Sequence, residues 1–231
     1  MARVGSGTTR GTVTPMSDDP AGSYAGSWAR RREMVEALRA GGVDDARVLA
    51  AMGAVPRERF VAGRYAAVAY EPRPLPIAAG QRISAPSIVA TMTAALELRG
   101  GERVLEIGAG SGYGAAVLSR LAAEVLTIEH HPELVEDSRQ VLGALGYDNV
   151  EVRHGDGVLG APDRAPFDAV SVTAMAPHEV PTALVEQLSV EGVLVCPVGG
   201  EQRGELIRLQ HGRTRSLGPV AFVPLTSDHQ P

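Results

Sequence analysis

The feature that most restricts the fold is a glycine-rich stretch, Glu106-Ile107-Gly108-Ala109-Gly110-Ser111-Gly112-Tyr113-Gly114. It directly follows the apolar run Val104-Leu105-Glu106-Ile107 and precedes a helical pattern from Ala115 to Leu121. Glycines let a chain turn tightly and bring its main chain against a ligand. The amides at the start of the following helix then face that ligand. Strand, glycine turn and helix in this order mark the ligand-binding end of an open α/β sheet.

The rest of the C-terminal half keeps that rhythm. Val125-Leu126-Thr127-Ile128 reads as a strand, Pro132 to Leu145 as a helix, and Val150-Glu151-Val152 as a strand. Phe167 to Val172 is a further strand, a helix falls near Pro181 to Leu188, and Val193 to Val198 is another strand. Leu206 to Leu209 and Val220 to Val223 are two more candidates with no helix between them. Alternating strands and helices predict a mostly parallel sheet covered on both faces, here closed by an antiparallel pair. There is no internal repeat.

Upstream the texture is helical. Met34, Val35 and Leu38 recur at helical spacing from Trp28 to about Ala40, where Gly41-Gly42 stop the pattern. Asp44 or Asp45 is placed to cap a second helix carrying Val48, Leu49 and Met52. Tyr65 to Gln81 has no period and reads as an ordered connection. A third helix carries Ile88, Val89, Met92, Ala95 and Leu96, with Ser84 as its expected N-cap and Pro86 in its first turn. Residues 1–27, rich in Gly, Ser, Thr and Pro, read as a disordered tail in which Met16 is a second candidate start. Residues 28–231 read as one domain, with a helical part at 28–100 and a sheet part at 101–231.

Composition removes several classes of function. A formal net charge of -5 and a single short basic run, Arg30-Arg31-Arg32, argue against nucleic-acid binding. No apolar run is long enough to cross a bilayer, and the N-terminus lacks the apolar core of a secretory signal. Cys196, the one cysteine, sits in an apolar run and can form no intrachain disulfide. A cytoplasmic location is therefore expected. The six histidines show no metal-ligand spacing, so no metal site is expected.

The glycine loop is compatible with more than one nucleotide. Counted from Gly108 the dinucleotide fingerprint meets Tyr113 where its third glycine belongs; counted from Gly110 its looser form ends acceptably on Ala115. The acid before the loop, Glu106-x-Gly108-x-Gly110-x-Gly112, resembles S-adenosylmethionine enzymes of the Rossmann-like class I methyltransferase type. Glu129 ends the next strand about twenty residues on, the position of a ribose-binding carboxylate in nucleoside sites of either kind. Gly155-Asp156-Gly157 follows the third strand of the series, where Asp156 suits either an adenine amino group or turn chemistry.

Longer segments resemble the protein-L-isoaspartate O-methyltransferases, from about Arg31 to Thr226. They include Val55-Pro56-Arg57-Glu58-Arg59-Phe60-Val61, Ala69-Tyr70-Glu71, Gly80-Gln81-x-Ile83-Ser84-x-Pro86, Leu145-Gly146-Tyr147-Asp148-Asn149-Val150, Pro166-Phe167-Asp168-Ala169, Val172-Thr173-Ala174, Pro197-Val198-Gly199 and Val223-Pro224-Leu225-Thr226. The resemblance implies a class I fold with a seven-stranded sheet and an N-terminal helical extension. It implies S-adenosyl-L-methionine as cofactor and isoaspartyl-containing proteins or peptides as partners. The implied activity is methylation of the isoaspartyl α-carboxyl, followed by closure to a succinimide and partial return to aspartate. It makes Ser84 the active-site serine, with Ala85, Pro86 and Ser87 lining the same pocket. Glu106, Gly108 and Gly110 would contact the methionine half, Glu129 the ribose, Asp156 and Gly157 the adenine, and Thr226 would close the site. Arg82 stands where the family usually has Thr, and Ser87 where it commonly has a ring; both departures bear on the acceptor. The alternatives are a biosynthetic relative that methylates an aspartate of a dedicated peptide, a cofactor-binding module without turnover, and a nicotinamide oxidoreductase.

Overall fold

The computed structural model describes residues 22–200 and 203–227. Helices α1 (Gly22–Ala40) and α2 (Ala46–Ala54) open the chain. Two short 3₁₀ turns then lead to a small antiparallel ribbon of β1 (Leu75–Pro76) and β2 (Arg82–Ile83), followed by α3 (Pro86–Ala95). The alternating part is β3 (Arg103–Ile107), α4 (Tyr113–Ser119), β4 (Glu124–Glu129), α5 (Pro132–Ala144), β5 (Val150–His154), β6 (Phe167–Val172), α6 (Thr182–Glu186) and β7 (Leu188–Gly199). The closing strands are β8 (Gly204–Gln210) and β9 (Arg213–Val220).

One seven-stranded sheet runs β5-β4-β3-β6-β7-β8-β9. Pairing is parallel from β5 through β7 and antiparallel from β7 to β8 and from β8 to β9. Successive residues of the inner strands enter two apolar cores. Val104, Val125, Ala169 and Val195 face Met34 of α1, Met52 of α2, Met92 of α3 and Val117 of α4. Their neighbours Leu105, Leu126, Val170 and Leu194 face Leu184 of α6 and Ala161. Both faces are covered, which is why these strands read as continuous apolar runs. The N-terminal helices are part of the first core rather than an appendage. Cys196 is fully buried in the second core, and burial pushes its thiol up to about 12, a packed and inert group. None of the described helices is long and apolar enough to cross a membrane.

Some boundaries differ from the sequence expectation. Helix α1 begins at Gly22, six residues before Trp28; residues 1–21 of the expected tail lie outside the described residues. Of the two caps the sequence offers for α2, Asp45 is the one used, accepting from the amides of Arg47 and Val48 at 2.8 and 3.2 Å. Ser84 does not cap α3: Pro86 fixes the first turn, so Ala85 is the N-cap and has no side-chain bond to offer. The last strand is Arg213–Val220, and Val220 to Val223 only leaves it. A two-residue turn at His211 and Gly212, both at positive φ, sets this register. Strand β9 is an edge strand with an exposed, charged start, Arg213-Thr214-Arg215, so it carries no apolar signal.

Candidate active site

The chain passes from β3 outward through β4 to β5, then returns to place β6 on the other side of β3. The loops after β3, β4 and β6 therefore diverge around one crevice at the carboxyl ends of the strands, the switch point where open α/β sheets hold ligands. The crevice is lined by Glu106, Gly108, Gly110, Glu129, Gly157 and Thr226, with Ser84 at its margin.

Glu106 sits on β3 opposite Thr127 of β4, whose hydroxyl donates to Oε2 at 2.7 Å. Its side chain is buried, and burial pushes the carboxyl up to about 8; the Thr127 bond opposes this rise and the nearby Glu129 charge adds to it. A Cβ at Gly114 would lie 2.3 Å from Glu106 Oε1, so the start of α4 must be glycine to admit the carboxylate. Glu129 is fastened at both oxygens, accepting from Gly110 N at 2.8 Å and from His131 N at 2.9 Å. Each carboxylate oxygen retains further acceptor capacity. The acid thus also fixes the glycine loop, in which Gly108, Gly110 and Gly112 all have positive φ. Gly108 has a second constraint: a Cβ there would fall 2.4 Å from Thr173 Oγ1, which contacts the carbonyls of Ile107 and Gly108 at 2.9 and 2.8 Å.

Ser84 follows β2 and lines both this crevice and a second, wider cleft beside it. Its position is held from behind by Arg57. That guanidinium is fully buried, donates from Nε to Ala69 O and from Nη2 to Ser84 O, both at 2.7 Å, and lies 4.7 Å from the Tyr113 ring centre. Desolvation lowers the Arg57 pKa from its ordinary value, against the neighbouring Tyr113.

Four of the expected cofactor residues are not among those lining the crevice. Ala85 lines the second cleft, Pro86 is buried at the start of α3, and Ser87 is exposed on that helix. Asp156 is engaged beside the crevice, accepting from Val158 N at 2.9 Å and from the Ser227 hydroxyl at 2.7 Å. The structure adds Gln81, His131, Thr173 and Val223 to Leu225 to the lining. Val172-Thr173-Ala174 stood out in the sequence, yet nothing there showed that Thr173 would meet Gly108 across neighbouring strands.

Comparison with known proteins agrees with this geometry. The family model for protein-L-isoaspartate(D-aspartate) O-methyltransferase matches residues 29–230. The chain is 50% identical over 220 residues to protein-L-isoaspartate O-methyltransferase 1 of Rhodopseudomonas palustris (strain HaA2), covering 93% of this chain and 88% of the relative. It is 52% identical over 201 residues to protein-L-isoaspartate O-methyltransferase 2 of Anaeromyxobacter sp. (strain Fw109-5), with 85% and 82% covered. A Plasmodium falciparum chain given the same family name, crystallised with S-adenosyl-L-homocysteine, superposes with a TM-score of 0.73 at 25% identity, covering 85% of this chain and 98% of that one. With its crevice at the switch point of a seven-stranded sheet and relatives that match it nearly end to end, the chain belongs to the protein-L-isoaspartate(D-aspartate) O-methyltransferase family.

Proposed function

We propose that the chain transfers a methyl group from S-adenosyl-L-methionine to the α-carboxyl of L-isoaspartyl residues in proteins and peptides. The observation that carries the reading is the position of Ser84. It borders both the glycine-loop crevice and the open cleft beside it, and its hydroxyl makes no hydrogen bond among the described residues. A donor there can meet an acceptor group that enters from one side while a cofactor occupies the other.

The crevice residues fit a cationic nucleoside cofactor. Glu106 Oε1 faces the glycine loop with no hydrogen-bond donor among the described residues, so the site presents an acceptor to a positive group. A Cβ at Gly110 would meet only the tip of Ile77, at 3.5 Å, which leaves the loop backbone open. Glu106, Gly108 and Gly110 would hold the methionine part, Glu129 the ribose hydroxyls, and Gly157 the adenine, with Asp156 behind it. Thr226 would border the site from the C-terminal segment. When bound, the cofactor supplies a methyl group on a sulfonium, an electrophile that needs no acid to activate it.

The acceptor carboxyl is already ionised at neutral pH, so no residue has to remove a proton. The work left to the chain is placement and exclusion of water. Ser84 would donate to one carboxylate oxygen and aim the other at the methyl group. Arg57 would keep Ser84 in place through its carbonyl. Ser84→Ala is therefore expected to lower turnover of an isoaspartyl peptide roughly 10- to 100-fold, the cost of one charged hydrogen bond. Affinity for S-adenosyl-L-homocysteine should change little. Methylation kinetics and calorimetry on the two proteins test this. Wild-type turnover in the variant would remove Ser84 from the reaction, and a wild-type protein inert on the peptide would overturn the assigned acceptor.

A further inference from the structure

The second cleft has a charge pattern unlike that of the chain as a whole. It has a volume of about 1010 Å³, more than a single carboxyl requires. It opens from Ser84 and Thr173, which it shares with the crevice. Its walls are Pro74, Ile88 and the apolar segment Val220 to Pro224, together with two arginines and, among the described residues, no carboxylate. Arg82 comes from β2 and also borders the crevice; Arg203 stands immediately before β8. Both are exposed, and neither makes an ion pair or a side-chain hydrogen bond among the described residues. In a chain with 27 acidic and 22 basic residues, a cleft whose charged groups among the described residues are both arginines, beside the reacting position, needs an explanation.

We infer that this cleft selects isoaspartyl segments with acidic neighbours, Arg82 and Arg203 pairing with carboxylate side chains that flank the isoaspartyl residue. The inference rests on the acceptor class proposed above and narrows it. Guanidinium groups suit carboxylates because their forked donors meet both oxygens. Complementary charge at a binding cleft acts on specificity and encounter rate more than on raw affinity, and it weakens with salt. Methylation itself strengthens the argument. The substrate brings one more negative charge than the ester that leaves, so a positive cleft attracts the former more than the latter. The pattern accounts for Arg82, one of the two departures from the family pattern in the sequence. It also adds Arg203, a residue about 120 positions away that no sequence feature connected to it.

The test uses three isoaspartyl peptides of equal length, flanked by glutamate, alanine or lysine. At low salt kcat/KM is expected to be about tenfold higher for the glutamate peptide than for the lysine peptide, with alanine between. The gap should shrink as salt rises from about 0.05 to about 0.5 M. Calorimetric binding of the same peptides in the presence of S-adenosyl-L-homocysteine should follow the same order. Arg203→Glu, an exposed change at the entry to β8, should abolish or reverse the order, and Arg82→Thr should flatten it. Equal kcat/KM across the three peptides, or an order untouched by both substitutions, would overturn the charge selection while leaving the acceptor class standing. Methylation of none of them would overturn the acceptor class and this selection with it.

Discussion

Replacement of Arg57 by methionine is expected to destabilise the fold by about 2–5 kcal/mol. Methionine keeps much of the apolar volume, so the loss is mainly one of hydrogen bonds. Ala69 O and Ser84 O, each now 2.7 Å from a guanidinium nitrogen, would lose their donors. A buried acceptor left unpaired costs roughly 1–3 kcal/mol, and there are two. The opposing gain is real: Arg57 Nη1 is itself buried without a hydrogen-bond partner among the described residues, and the cation carries a desolvation penalty. The larger effect should still be loss, because the two carbonyls lie in different segments that Arg57 ties together. Urea denaturation of the two proteins measures the difference. An unfolding free energy within about 0.5 kcal/mol of wild type would mean that the chain relaxes around the missing cation and that Arg57 does not hold Ser84.

The second large effect concerns Glu106. Its carboxyl, pushed up to about 8 by burial, is mostly protonated at pH 6. A cationic cofactor favours the carboxylate, so its binding should release a proton below pH 8. Affinity for S-adenosyl-L-methionine should therefore rise as pH climbs from about 6 to 8 and then level off. Glu106→Gln removes the charge, and the pH slope should vanish with it. Affinity at pH 8 should fall roughly 10- to 100-fold, the equivalent of one charged hydrogen bond. The same group gives a stability signature of defined sign. Its folded pKa lies above its unfolded value of 4.5, so its contribution is fully present below about 4.5 and is lost as pH rises through 8. Calorimetry in buffers of different ionisation enthalpy counts the released proton. A flat pH dependence in the wild type would mean that Glu106 does not face the cofactor charge.

The sheet was legible because its inner strands are buried on both faces, so runs such as Val104 to Ile107 and Phe167 to Val172 stand out without any need for alternation. The glycine loop was legible for a different reason: positive φ at Gly108, Gly110 and Gly112 demands a residue type that the sequence displays openly. Strand β9 was misplaced because an edge strand that avoids aggregation hides its β character behind arginine and serine. The sequence points to a cap of α3 one residue early because Ser84 is good capping chemistry, and only the backbone shows that Pro86 sets the start. Arg57 could not be read at all. An arginine beside Pro56 looks like surface charge until the fold encloses it. The second cleft was equally hidden, since β2 and the β8 entry meet only in three dimensions. Of the site, the residues fixed by backbone geometry were visible, and those fixed by contacts across distant segments were not.

One measurement tests the acceptor directly. The protein would be given S-adenosyl-L-methionine labelled in its methyl group and two peptides identical except for L-isoaspartate or L-aspartate at one position. Base-labile label is expected on the isoaspartyl peptide alone. Label on the aspartyl peptide alone would contradict the assignment and favour the biosynthetic relative, and label on neither, with cofactor binding intact, would contradict it equally.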